Sequence, residues 1–300
     1  MVEKKQKILV VLGATASGKS DLAVDLARKF NGEIISADSR QVYKGLDIGS
    51  GKITEEEMKG ISHYLLDVIS PQKIFDVAQF KKLADKYIED ILKRGKVPIL
   101  CGGTGFYIQA VIDNVLLPEI KRDEKLRKSL ELLSVEELFK KLKKMDSERA
   151  KTIDPKNPHR LIRAIEIVSQ LGKVPPISSL DSKWDVLQIG IKTDKDVLNK
   201  RIEKRFYKRV KEGIIEEAKK LHQKGLSYKR MEEIGLAHKY IVLFLKEKIL
   251  KEEFIEGSIK EEQKYAKRQN TWFKRDKRIK WFGLEEKKKI DRFVGVFIKK

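Results

Sequence analysis

Gly13-Ala-Thr-Ala-Ser-Gly-Lys-Ser20 is the stretch that decides the fold of this chain. An apolar run, Ile8-Leu-Val-Val-Leu12, leads in and reads as a buried strand. Asp21 to Phe30 leads out, with Leu22, Ala23, Leu26, Ala27 and Phe30 at helical spacing. Strand, glycine loop, Gly-Lys-Ser and helix together make a P-loop. Its backbone amides and helix N-terminus wrap a phosphate, Lys19 supplies a point charge, and Ser20 can reach a Mg²⁺. The expected diphosphate or nucleotide ligands are therefore Gly13, Ala14, Thr15, Ala16, Ser17, Gly18, Lys19 and Ser20, with Ser20 also the metal contact. The loop does not say which phosphate. Hydrolysis, kinase chemistry and transfer of a group from a diphosphate ester all use it.

Outward from the loop, the first third alternates strands and helices. Glu33 to Asp38 reads as a second strand, His63 to Ile69 as a third, and Lys96 to Cys101 as a fourth. Val77 to Arg94 is an amphipathic helix with Gly95 as its C-cap. The class is α/β: a P-loop NTPase-like parallel sheet flanked by helices, with ligands at the carboxyl ends of its strands. After Leu117-Pro118 the character changes. Residues 119–184 form a charged helical insertion, with Leu126, Leu130, Leu133, Leu138, Leu142 and Met145 on one face and a Pro175-Pro176, Ser178-Ser179 linker near its end. Val186 to Ile191 returns to the sheet. The rest is helical: Asp196 to Lys224, Glu232 to Lys248 and Glu252 to Lys274. The expected division is a catalytic core of 1–118 and 185–300 around an insertion of 119–184.

Composition narrows the partners. A net charge of +21 is an excess of one sign, which favours a polyanion such as nucleic acid. A Lys/Glu-rich thermophile surface would explain the charge density but not the imbalance. Cys101 is the single cysteine, so no internal disulfide or cysteine-based zinc site exists. No signal peptide and no spanning run is present, so a cytoplasmic location without membrane attachment is expected. Nothing in the sequence demands more than a monomer.

Asp38-Ser-Arg-Gln-Val-Tyr43 falls where the second strand delivers its residues to the P-loop mouth. An Asp there can hold Mg²⁺ through water or accept a proton, or it can simply cap a helix. Gly102-Gly-Thr-Gly105 makes a second glycine turn at the same rim, where Thr104 offers a hydroxyl and Cys101 is a small buried apolar residue. Arg160 and Arg163 share a helix face that would pin a phosphate backbone or stand solvated. Arg201, Arg205 and Arg209 recur at i+4 after the last strand, and one of them is a candidate to close on phosphate. Tyr265 to Arg275 mixes aromatic and basic residues suited to RNA, although the tryptophans suit core anchoring better. The four histidines lack metal-ligand spacing. Leu65-Leu66-Asp67 is the nearest approach to a hydrolase-type second acidic strand, and it is a poor one.

Taken in order, these motifs resemble the tRNA dimethylallyltransferase family, also called tRNA isopentenyltransferases. The P-loop, Asp38 to Tyr43 with Gly45 to Gly49, Gly102 to Tyr107, Arg160 to Glu166 and Tyr265 to Phe273 carry the resemblance, which covers nearly the whole chain. The chain departs from the family pattern at Ala14, where proline is more usual, and at Ser50-Gly-Lys52, where Thr-Ala-Lys is expected. The resemblance implies transfer of a dimethylallyl group from dimethylallyl diphosphate, with Mg²⁺, to the exocyclic N6 amine of the adenine 3′ to the anticodon. The tRNAs concerned read codons beginning with U. It implies Asp38 as general base, Arg205 on the diphosphate and Thr104 near the reacting centre. It also implies tRNA contacts from Asp38, Ser39, Arg40, Gln41, Thr104, His159, Arg160, Leu161, Ile162 and Arg163, with the insertion gripping the anticodon arm. A nucleotide or small-molecule kinase using the same loop is the runner-up. A tRNA-binding module with a vestigial P-loop is the third reading.

Overall fold

The computed structural model describes residues 5–118, 120–176 and 178–299. Two compact units divide the chain: one holds Met1–Asn114 with Asp181–Lys300, the other Val115–Leu180. The sequence reading set these boundaries four residues later, at 119 and 184, and residue 119 lies outside the described residues.

The larger unit begins with β1 (Gln6–Leu12), α1 (Lys19–Lys29), β2 (Gly32–Ala37), α2 (Glu55–Met58), β3 (His63–Tyr64), α3 (Val77–Lys93), β4 (Val97–Gly102) and α4 (Gly105–Ile112). Alternation along β1 explains its central place. Ile8, Val10 and Leu12 point into one apolar layer, Leu9 and Val11 into the other, and all are buried. A strand buried on both faces is what an unbroken apolar run specifies.

The smaller unit carries α5 (Glu124–Leu130), α6 (Val135–Met145), α7 (Ser147–Thr152) and α8 (Pro158–Leu171). Leu130, Leu138 and Leu142 are buried in its core, with Leu126, Leu133 and Met145 packed against them, as the helical spacing predicts. Ser134 and Glu137 cap α6 reciprocally. Asn157 caps α8, Pro158 fills its first turn, and Gly172 ends it with φ of 77°. One carboxylate is wholly buried here. Glu166 accepts from both Arg127 (2.8 and 2.6 Å), from Arg163 (2.6 Å) and from the Asp123 amide (2.9 Å).

The chain then returns to the larger unit through β5 (Trp184–Ile191), α9 (Lys195–Glu212), α10 (Ile214–Gln223), α11 (Tyr228–Ile234), α12 (His238–Leu245), α13 (Lys251–Phe273), β6 (Lys280–Phe282) and α14 (Lys287–Lys299). The strands make one six-stranded sheet in the order β3-β2-β4-β1-β5-β6, with every pairing parallel. Helices α1 and α14 cover one face; α3, α4 and the helices from α9 to α13 supply the core of the other.

Four expectations need correction. The third strand stops at Tyr64, because Leu65 and Asp67 adopt φ of 64° and 52°, which no strand continues through. The span 196–224 is two helices broken at Gly213, whose φ is 98°. The span 232–248 is likewise two helices, separated by an extended Gly235. Finally, β6 and α14 were not anticipated at all.

Candidate active site

The P-loop bends where its sequence permits. Ala16 has φ of 60° and Gly18 φ of 88°, and Gly18 stands as the left-handed residue from which α1 departs. A Cβ on Gly18 would lie 2.7 Å from a terminal methyl of Leu284, which packs over the loop from the tail of the chain. Lys19 donates to the Ala14 carbonyl at 3.2 Å. Burial pushes its ammonium pKa down, while nearby Cys101 and Asp38 oppose that shift. Ser20 opens on the same cavity as Lys19. Ser17 is 1% exposed, and its amide already bonds the Ala14 carbonyl, so it supports the loop from beneath.

Asp38 directly follows β2 at the mouth of this loop. One of its oxygens accepts from the Arg40 amide at 2.8 Å and the Gln41 amide at 3.4 Å, which turns the chain sharply and fixes the carboxylate. It lines two cavities together with Thr15, Lys19 and Arg205. The capping geometry and the functional placement therefore coexist in one residue. Thr104 accepts the Ser39 amide at 3.1 Å, so its hydroxyl braces the Asp38 turn from the second glycine turn. Gln41 is also engaged: its amide donates to Gly51 at 3.3 Å and accepts from Ser36 at 3.4 Å.

Of the arginines spaced along α9, Arg201 is exposed and Arg209 is buried, while Arg205 reaches the P-loop. Arg205 donates to the Thr15 hydroxyl and lies 3.8 Å from Glu262. Arg209 pairs with the other oxygen of Glu262 and donates to the Gly49 carbonyl at 3.2 Å. Burial lowers the Arg205 pKa, with Glu262 opposing, and an arginine remains charged throughout. Arg205 is thus a fixed fitting of the site, held by a carboxylate on α13, rather than a loose lid. Its Nε and that of Arg209 are buried with no protein acceptor.

Sequence reasoning missed what holds the Gly45–Lys52 loop over the site. Glu217, on α10, accepts the amides of Asp47, Ile48 and Gly49 at 2.9, 2.7 and 2.8 Å. Beneath it lies His238, wholly buried and with a pKa lowered to about 3 by burial, hence uncharged. A Cβ on Gly49 would sit 2.5 Å from that ring. Lys52 is equally structural, bonding the Tyr43 carbonyl at 3.0 Å and the carboxylates of Asp47 and Asp67 at 2.5 Å. Asp67 is therefore a loop anchor, away from any hydrolytic role.

Also missed was Gln269. Its side chain accepts the Thr15 amide and donates to the Gly103 carbonyl, joining the two glycine turns. A Cβ on Gly103 would stand 2.1 Å from Gln269, and one on Gly105 2.2 Å from Trp272. Gly103 and Gly105 lie directly under one face of α13, whereas a Cβ on Gly102 would stand 2.1 Å from the Ala37 carbonyl oxygen of the neighbouring strand. Tyr265, one turn earlier on the same face, borders the Asp38 cavity, and burial raises its phenol pKa.

In the helical unit, His159 and Arg160 are exposed. Leu161 and Ile162, expected on the RNA-facing surface, are instead core residues at 0% and 6% exposure. Arg163 is committed to Glu166 along one edge and half-exposed along the other.

With this geometry established, kinship can be assigned. The family model described as IPP transferase matches residues 41–276. A tRNA dimethylallyltransferase of Thermoanaerobacter sp. (strain X514) is 41% identical over 98% of this chain and 96% of its own length. One from Oceanobacillus iheyensis is 41% identical over 94% and 92%. The crystal structure of a tRNA isopentenylpyrophosphate transferase from Bacillus halodurans superposes with a TM-score of 0.75 at 38% identity, covering 98% of this chain and 97% of that one. A eukaryotic dimethylallyltransferase, solved in snapshots of its action on tRNA, gives a TM-score of 0.76 at 30% identity over 89% of this chain and 70% of that one. None of these relatives is a kinase. A family model over most of the chain, together with relatives about 40% identical across nearly its whole length, shows that the chain belongs to the IPP transferase family, the tRNA dimethylallyltransferases.

Proposed function

We propose that this chain transfers a dimethylallyl group from dimethylallyl diphosphate to tRNA, onto the N6 amine of the adenine 3′ to the anticodon in tRNAs that read codons beginning with U. The observation that carries this reading is Asp38, fixed by the Arg40 and Gln41 amides and opening on the same cavities as Lys19 and Arg205. A carboxylate and an anion cradle thus border the same cavities.

In the reaction the bond between the allylic carbon and the diphosphate oxygen breaks, and the electron pair leaves with the diphosphate. The adenine nitrogen forms the new N–C bond, and Asp38 accepts the proton that the amine must lose. The P-loop amides, Lys19 and Arg205 hold the charge that grows on the leaving group, and they are in place before it develops. Ser20 would hold a Mg²⁺ that neutralises part of this charge. Among the described residues no cluster of three His, Cys, Asp or Glu exists, and a single hydroxyl suits an ion that draws its other ligands from water and substrate phosphate. The adenine is flipped out of the anticodon loop to reach Asp38, past Ser39, Arg40, Gln41 and Thr104. His159, Arg160 and the outer edge of Arg163 supply phosphate contacts to the anticodon arm. Thr104 acts chiefly by holding the Ser39 backbone. The enzyme works as a cytoplasmic monomer; no helix among the described residues is long and apolar enough to cross a membrane.

The test is incubation with radiolabelled dimethylallyl diphosphate and bulk tRNA, followed by nucleoside mass analysis. Label in RNA as N6-dimethylallyladenosine is expected. Release of ADP from ATP with a small acceptor, and no labelled RNA, would restore the kinase reading. Tight tRNA binding without turnover would leave only a binding module.

A further inference from the structure

Helices α9 and α13 pack against each other with charged residues on their buried faces. The buried stripe of α9 runs through Ile202 and Phe206 to Arg209, and that of α13 through Phe254 and Ser258 to Glu262. Arg209 and Glu262 are each 4% exposed, and they pair with one another. Stability alone does not account for such a pair. A buried ion pair loses in desolvation about what it gains in attraction, and apolar residues of similar volume serve a core as well or better.

What sets this pair apart is where its other contacts lead. Arg205 and Arg209 stand one turn apart on α9, so a single carboxylate faces two guanidiniums. Oε1 of Glu262 accepts from Arg209, while Oε2 is buried without a hydrogen bond, 3.8 Å from Arg205. Beyond Glu262 the two arginines part. Arg205 donates to the Thr15 hydroxyl on the P-loop. Arg209 donates to the Gly49 carbonyl at 3.2 Å, on the loop whose amides Glu217 clasps. Its guanidinium also lies over the Phe206 ring, 5.0 Å from the centre, which restrains its plane. One side chain of α13 thereby joins the loop that cradles phosphate to the loop that carries Gly49 and Ser50 to the Asp38 cavity. The three side chains together carry one positive charge in excess, fixed beside the place where an anion develops.

We propose that Glu262 is a positioning residue for the transfer reaction. It sets the place of Arg205 on the leaving diphosphate and, through Arg209, the place of the Gly49 loop. Its charge also holds the anion affinity of the cradle below what two unopposed guanidiniums would give. A moderated affinity suits a transferase, whose diphosphate product must leave after every turnover. The inference rests on the reading of Arg205 as a diphosphate ligand and adds the group that places and tempers it.

Three variants of the full chain test it, each assayed for pyrophosphate binding by calorimetry, for transfer kinetics and for melting temperature. Glu262→Gln keeps the volume and removes the charge. It should bind inorganic pyrophosphate about fivefold or more tightly, because a negative charge close to Arg205 is gone. It should nevertheless turn over about tenfold or more slowly, because Arg205 is no longer held in place. Glu262→Asp keeps the charge and should return pyrophosphate affinity to the parent value. Arg209→Met keeps a long chain over Phe206 but removes the second guanidinium. It should bind pyrophosphate severalfold more weakly and raise KM for tRNA by more than it lowers kcat, because Gly49 loses its donor. A merely structural pair predicts that Glu262→Gln and Arg209→Met both lose pyrophosphate affinity along with melting temperature. That shared sign overturns the proposal, and so does a parental kcat in Glu262→Gln. Should Glu262→Gln fail to fold, Arg209→Met decides, and an unmoved pyrophosphate affinity and tRNA KM there overturn the proposal. If the parent enzyme binds no pyrophosphate, the reading of Arg205 itself falls, a result separable from the others.

Discussion

Gln269 accepts a hydrogen bond from the backbone amide of Thr15 at 2.8 Å, across 254 residues of chain. The Nε2 of Gln269 donates to the Gly103 carbonyl at 2.9 Å, so one side chain sets the distance between the two glycine turns. Gln269→Ala removes the brace without adding charge. We expect kcat to fall by about 100-fold, the cost of a misplacement of about 1 Å at a reacting centre, with tRNA affinity little changed. Gln269→Glu should be worse, because a carboxylate would face both the Gly103 carbonyl and the incoming diphosphate. Steady-state kinetics with both variants, alongside tRNA filter binding, makes the check. Wild-type kinetics in Gln269→Ala would exclude a positioning role.

Asp38 is the proposed proton acceptor. Asp38→Ala should lower transfer by about 10²–10⁴-fold, the usual contribution of a placed general base, while tRNA still binds. Single-turnover measurement with preformed enzyme–tRNA complex isolates this step. Unchanged turnover would remove Asp38 from the mechanism.

Arg205 touches the P-loop through Thr15 and is held by Glu262. Arg205→Ala should cost about 10²–10³-fold in kcat, as loss of one fixed donor to a developing anion does elsewhere. Because Arg209 keeps its pairing with Glu262, the variant should melt close to the parent temperature. A calorimetric scan beside the activity assay separates lost chemistry from lost fold.

Glu166 bears on stability alone. Its burial opposes ionisation, yet hydrogen bonds from Arg127 and Arg163 outweigh that and hold its carboxyl at about 2. A folded-state value below the unfolded one gives stability that is fully present above the unfolded pKa of about 4.3 and is lost as pH falls toward about 2. Glu166→Ala leaves the partly exposed Arg127 and Arg163 without their shared acceptor and should destabilise the helical unit by about 1–3 kcal/mol. Denaturant melts of parent and Glu166→Gln between those pH values should show the acid-sensitive component only in the parent.

Much of the fold was legible because its signals are local. The apolar run before Gly13, the periodicity of Leu126 to Met145 and the glycine at 95 each act within a few residues. Leu161 and Ile162 show the limit of a motif: the stretch points to RNA, but only every third or fourth residue of a helix can face it. What escaped the sequence is long-range. Nothing near Glu217 signals that it clasps the Asp47–Gly49 amides, and nothing near Gln269 signals that Gly103 lies beneath it. The three residues of β6 are too few for an alternation to register, and the sharp end of β3 follows from left-handed residues that are neither glycine nor asparagine.

The brace from Gln269 has a consequence for how the enzyme comes into being on the ribosome. A nascent chain can fold its first strands early, as N-terminal segments generally do, yet its cradle stays unbraced until α13 emerges. A chain that ends before that helix lacks the Gln269 bridge between the two glycine turns, so full activity is expected only once α13 has docked.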